Sequence, residues 1–233
     1  MAIYEGPGAT KRSVRNIERS IGLIPGAAAV RVTAEQMRSG GLAEFDVVVF
    51  PGGSASAQAK ALDRRGRDEV QKYVAGGGGY LGVCAGAYLA CAGFDWGLQL
   101  VNARTLSDRW QRGEGAVEIA LTDEGRQMFG PCRRALAVHY ENGPVFGPLD
   151  RDDLPAYRVL ATYATEVAEN NTPAGIMVGA PALAESSYGE GRVIISSPHP
   201  EASPGLESIV PLALVRLAAK EASERNGSPA KER

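Results

Sequence analysis

The chain has 233 residues, is 44% hydrophobic, and carries 25 Lys and Arg against 27 Asp and Glu. That is enough for one packed α/β core, and it supplies neither the basic stripe of a nucleic-acid binder nor a net field to steer a charged partner. No run of 18 apolar residues marks a membrane span. The three cysteines, Cys84, Cys91 and Cys132, are odd in number and form no CxxC, which argues against a disulfide framework or a zinc site.

Taken in chain order, Ala2–Tyr4 reads as a short strand that runs into the turn Gly6-Pro7-Gly8. Ser13–Ile21 reads as a helix with Ser13 as its N-cap and apolar Val14, Ile17 and Ile21 on one face. Ala28–Val32 is strand-like. A short helix opens at Thr33-Ala34-Glu35 and closes at Gly40-Gly41. Phe45–Phe50 (FDVVVF) is a continuous apolar run, the pattern of a parallel strand covered on both faces, and it ends at Pro51-Gly52-Gly53. A helix follows over Asp63–Ala75, a strand over Gly79–Val83, then Cys84 and a helix over Ala85–Cys91.

The middle of the chain is less regular, with strands read at Ala116–Leu121 and Arg134–Tyr140 and a helix at Thr122–Phe129. Strands Tyr157–Thr165, Pro181–Tyr188 and Arg192–Ser197 follow, then a closing helix over Leu206–Ala222. The strand–helix alternation predicts a flavodoxin-like three-layer α/β/α fold with a mainly parallel central sheet. Residues 1–223 are expected to form a single domain, and 224–233 (ERNGSPAKER) a polar tail.

Three segments carry chemistry. Gly82-Val83-Cys84-Ala85-Gly86 puts a thiol on a sharp strand-to-helix turn, where only small neighbours two positions away avoid collision. By itself this pentapeptide would equally suit a small buried cysteine in a packing turn. The helix start beneath Cys84 favours a thiolate and offers the Ala85 N–H to an oxyanion. His199, one of two histidines, follows a buried strand and precedes Glu201 by two residues. The carboxyl ends of parallel strands share one rim, so Cys84, His199 and Glu201 are expected to meet there as nucleophile, base and orienting acid. Gly52 and Gly53 end another buried strand at that rim, and Gly53 is expected to supply a second backbone oxyanion donor beside Ala85.

VVVFPGG, GGGYLGVCAGAY and SPHPEASPG, in this order, resemble the class I glutamine amidotransferase-like superfamily. His199–Gly205 resembles the end of the amidotransferase domain in the small chain of carbamoyl phosphate synthetase. Tyr4-Glu5-Gly6-Pro7-Gly8-Ala9, Pro51-Gly52-Gly53 and Gly77–Tyr88 resemble the amidotransferase-like domain at the N-terminus of some eukaryotic biotin–protein ligases, which also occurs alone in bacteria. The resemblance spans residues 1 to about 215. It implies a Cys84-His199-Glu201 triad, with Gly52 and Tyr88 expected beside the substrate; the segment of Tyr140 and Asn142 resembles one that lines the pocket, and a turn that merely ends a hairpin fits it equally, while Ser54 either donates to substrate or caps the next helix. Glutaminases of this superfamily carry Gln four residues after the nucleophile. Tyr88 stands there, which argues against L-glutamine as the substrate.

The expected activity is hydrolysis or transfer at an amide or acyl bond of a small molecule or short peptide, without cofactor or metal. No nucleic acid or membrane partner is expected. A homodimer or a synthase partner chain is open but has no support in the sequence. The expected setting is the cytoplasm, since reduced thiols fit it and MAIYEGPGA has no basic and apolar leader pattern; a chain trimmed of its leader would read the same. Three alternatives compete: a peptidase of the related branch, which uses a G-x-C-H elbow that Ala85 breaks; a non-catalytic binding domain that keeps the scaffold; and an amidotransferase subunit docked on a synthase. Trp96 and Trp110 fall in the irregular middle as candidate cover for the pocket.

Overall fold

Period-two apolar runs become strands and period-3.6 stretches become helices. The strands are β1 (Ala2–Tyr4), β2 (Val30–Val32), β3 (Val47–Phe50), β4 (Gly79–Val83), β5 (Ala103–Thr105), β6 (Glu114–Leu121), β7 (Leu136–Glu141), β8 (Phe146–Pro148), β9 (Arg158–Tyr163), β10 (Pro181–Tyr188) and β11 (Gly191–Ser196). The α-helices are α1 (Lys11–Gly22), α2 (Ala34–Arg38), α3 (Ala55–Ala75), α4 (Ala85–Ala90), α5 (Asp123–Phe129) and α6 (Ile209–Ala218). The computed structural model describes residues 1–132 and 134–219, and the expected polar tail lies outside them.

Among the described residues, nine strands form one sheet in the order β2-β1-β3-β4-β11-β10-β9-β6-β7. From β2 to β11 all pairings are parallel; from β11 to β7 all are antiparallel. With β11 as fifth strand, the parallel half has the 2-1-3-4-5 order of a flavodoxin-like sheet. Helices cover both faces, as the sequence predicts. Val47 and Val49 of β3 pack with Val14 and Ile17 of α1 and Leu214 of α6, while Val48 and Phe50 face Leu62 and Val70 of α3 and Leu89 of α4. A run buried on both faces therefore reads as continuous apolar sequence. Tyr4, Phe50 and Tyr80 stack across β1, β3 and β4 with centroids 5.1 and 5.5 Å apart. Among the described residues no helix is long and apolar enough to cross a membrane.

Several boundaries depart from the sequence reading. The N-cap of α1 is Thr10, whose side chain accepts from Ser13 N–H, so Ser13 is freed for another role. The predicted apolar face is right: Val14, Ile17 and Ile21 are buried, each contributing about 1.5–3 kcal/mol. Helix α3 starts eight residues earlier than expected, capped by Ser54. Asp63 interrupts it at φ 54°, and its Oδ1 accepts from Gly66 N–H at 3.2 Å. The signal read at Asp63 therefore marks a second helix start within α3. The two-stranded β5–β8 sheet was not foreseen. The closing helix is shorter than Leu206–Ala222, and positions 220–222 lie outside the described residues.

Candidate active site

The strand-end rim is built by glycines that leave no room for a Cβ. A Cβ on Gly82 would lie 2.4 Å from Gly86 O, and one on Gly86 would lie 2.1 Å from Phe50 O. Both neighbours are backbone and cannot swing aside, which is the physical content of the G-x-C-x-G spacing. Between them Cys84 sits at φ 51°, ψ −100°, a conformation an L-residue adopts only when its surroundings impose it. Its N–H is tied to Ser196 O of β11 at 2.8 Å, and its thiol donates to Glu141 O at 3.4 Å.

His199 arrives from β11, the neighbour of β4, where Val83 pairs with Ser196. Its N–H donates to His139 O at 2.8 Å, and its carbonyl accepts from Ser203 Oγ at 2.6 Å. The ring lies over Gly52, where a Cβ would stand 2.6 Å from Cε1. A 3₁₀ turn at Pro200–Ala202 brings Glu201 back, so that its Oε1 stands 2.7 Å from His199 Nδ1 with the carboxylate fully buried. Burial opposes a charge on His199, but the Glu201 carboxylate hydrogen-bonded to its ring, with the Cys84 sulfur beside it, outweighs that. The imidazole therefore keeps its proton well above its ordinary pKa. Cys91 lacks such company: burial pushes its thiol up to about 12.

The sequence marks Ser13 only as a cap. Its hydroxyl donates to Glu201 Oε1 at 3.3 Å and accepts from Gly52 N–H at 2.9 Å, joining the acid to the β3 turn. No motif in the sequence marks this role; the only signal is a serine in the first turns of a helix that leaves the GPG loop. Gly53, at φ 143°, carries the turn past Gly8, whose carbonyl would be 2.1 Å from a Cβ. The flanking Gly52 O and Ser54 N–H bond to Thr10 and Gly8. This leaves the Gly53 N–H without a partner among the described residues. Ala85 is the first residue of α4, where no preceding helical turn supplies an acceptor for its N–H.

A cavity of about 460 Å³ opens beside Cys84 and His199. Of the residues read as substrate-binding, Gly52, Ser54, Tyr88 and Asn142 line it. Tyr140 does not: it is buried in the core, with its hydroxyl donating to Gly143 O and its ring edge-on to Tyr163. A period-two strand must send Tyr140 inward if Glu141 is to face out. Ser54 also caps α3, and Asn142 Oδ1 accepts from Gly113 N–H at 2.8 Å. Phe94, Trp96 and Trp110 join Tyr88 on the wall, and Asp108 and Glu141 are its acidic residues; the Glu141 carbonyl accepts from Cys84 and its carboxylate stands 3.8 Å from His139 Nε2. Glu5, in the loop after β1, pairs with Arg31 at 3.0 Å.

Two larger clefts lie at the amino ends of the strands, beside Lys72 and Tyr73 and beside Glu185 and Arg216, far from the thiol. Glu114, His139 and Glu141 share one face of the β6–β7 ladder with ligand atoms within 4.8 Å of one another, two of them exposed carboxylates.

The sheet order, the elbow and the rim define the class: this is a class I glutamine amidotransferase-like α/β fold. The chain matches PurLQS from Thermotoga maritima with a TM-score of 0.63 at 14% identity, covering 93% of this chain and 95% of that one. Cytoplasmic protein STM3548 from Salmonella typhimurium matches with a TM-score of 0.57 at 15% identity, over 94% and 98% of the two chains. At such identities the likeness is one of fold. The chain belongs to the biotin-protein ligase, N terminal family, whose model matches residues 1–110 and 106–223. An uncharacterized protein of Chlamydia muridarum is 29% identical over 183 residues, 68% of this chain and 61% of that protein, so the chain spans about six-tenths of that relative.

Proposed function

We propose that this chain is a cysteine-dependent enzyme that hydrolyses or transfers an amide or acyl group of a small molecule or short peptide. One observation carries the reading: a strained thiol on the elbow opens on the same cavity as His199, whose Nδ1 meets the buried Glu201 carboxylate at 2.7 Å. In this reading the Cys84 sulfur, its proton passed to His199, attacks the substrate carbonyl carbon. The π electron pair moves onto oxygen, where the N–H groups of Gly53 and Ala85 receive it. Collapse expels the amine, which takes the proton from His199 and leaves a thioester on Cys84. Water, or another amine in transfer, adds to the thioester with His199 as base, and the acyl product leaves as the thiolate is restored. Glu201 fixes the imidazole throughout.

Iodoacetamide labelling at pH 6.5, with modified cysteines mapped by mass spectrometry, tests the activated thiol. Cys84 should react at least about tenfold faster than Cys132, with Cys91 unmodified, and His199→Ala should erase the advantage. Equal rates at Cys84 and Cys132 would sink the catalytic reading. A binding domain on the same scaffold would then stand, a reading favoured by Tyr88 on the cavity wall where glutaminases of this superfamily place Gln. Ammonia release from L-glutamine, compared with Cys84→Ser, tests the exclusion of glutamine; robust Cys84-dependent release would overturn it.

A further inference from the structure

We infer that the group flanking the scissile bond is flat, apolar and positively charged; this rests on the proposed acyl-transfer reading and names the substrate class of that site. Four aromatic side chains share the cavity beside the thiol. Tyr88 and Phe94 stand 6.2 Å apart between centroids, and Phe94 stacks on Trp96 at 4.7 Å, making one continuous wall. Trp110 completes it while 54% exposed, a placement that leaves an aromatic face unused by the fold. Such faces hold flat groups by dispersion and cations by their ring quadrupoles.

The charges agree with the rings. Asp108 and Glu141 line the cavity, and among its described lining residues there is no Lys or Arg. The guanidinium of Arg112 is not on the lining: it lies near Tyr88 and Tyr140, is 2% exposed, donates to Pro173 O at 2.9 Å and stands 3.6 Å from Glu166, with Nε and Nη2 lacking a hydrogen-bond partner among the described residues. A free amino acid bearing an α-carboxylate would bring that charge among two acidic residues with no Lys or Arg on the described lining to receive it. The imidazolium of His199 is already matched by Glu201. An amide of an aromatic amine or acid that carries an ammonium or guanidinium group satisfies both the wall and its rim.

Thiol-directed reagents test the pocket without a known substrate. Aminoethyl and sulfonatoethyl methanethiosulfonate are similar in size and opposite in charge. Each forms a mixed disulfide with Cys84 and expels methanesulfinate. With rates normalised to a small free thiol, the cationic reagent should modify Cys84 about tenfold faster than the anionic one at low salt. Asp108→Asn with Glu141→Gln should reduce that ratio several-fold. Benzyl methanethiosulfonate should outpace the ethyl reagent, and Trp96→Ala should remove its lead. A preference for the anion, a charge ratio unmoved by the double variant, or a benzyl rate no greater than ethyl overturns the inference. The outcome is separable from catalysis: slow labelling of Cys84 by every reagent with the charge and ring preferences intact defeats the activated thiol and leaves the pocket chemistry standing.

Discussion

At Cys84, backbone strain and chemistry coincide. A positive φ on a residue with a Cβ costs on the order of 1–3 kcal/mol, and here the β4–α4 turn holds it in place. Cys84→Gly should therefore be more stable than Cys84→Ala by about 1 kcal/mol in urea denaturation, although both lack the thiol. Equal midpoints would show that the turn is relaxed. Ser13 is the second telling residue. Ser13→Ala leaves the buried Gly52 N–H without an acceptor and Glu201 with one donor fewer, which should cost about 1–3 kcal/mol. It should also slow Cys84 labelling, because the acid behind His199 is less firmly held. Loss of stability with an unchanged labelling rate would confine Ser13 to a structural role.

The elements show which parts of the fold were legible. Continuous apolar runs such as Val47–Phe50, and glycine-bounded turns, are local signals, and the parallel half of the sheet follows from them. The rim followed too, since parallel strands bring their carboxyl ends together whatever their order. What escaped depends on contacts remote in sequence. Ser13 and Glu201 come from opposite ends of the chain, β5 and β8 are three residues each, and Tyr140 is turned inward by strand period rather than by its own chemistry. The Asp63 break in α3 hid the first half of that helix, since the residues before it form a separate capped segment. At this scale the β4–α4 junction is the tightest joint. Gly86→Ala pushes a Cβ onto the Phe50 carbonyl and should destabilise the protein by about 3 kcal/mol or more. The same substitution at Gly22, which has nothing within 4 Å of its added Cβ, should cost far less.

Across the whole molecule the site should be visible in the pH dependence of stability. His199 binds its proton more tightly folded than unfolded, so its contribution is fully present below the ordinary imidazole pKa of about 6.5 and is lost as pH rises through the raised folded value. Unfolding free energy should therefore fall between neutral and alkaline pH more steeply in the wild type than in His199→Gln. Parallel curves would mean that the imidazolium is not held. The sheet adds a consequence of its own. β11 is the seam between the parallel and antiparallel halves, and it delivers His199 to a thiol made roughly half a chain earlier. During synthesis the elbow emerges long before its base, and β11 must pair between β4 and β10 before the two can meet. Under the proposed function, the docking that completes the sheet would thus also be the step that arms the thiol, and a nascent or half-folded chain would carry an inert cysteine in place of an indiscriminate nucleophile.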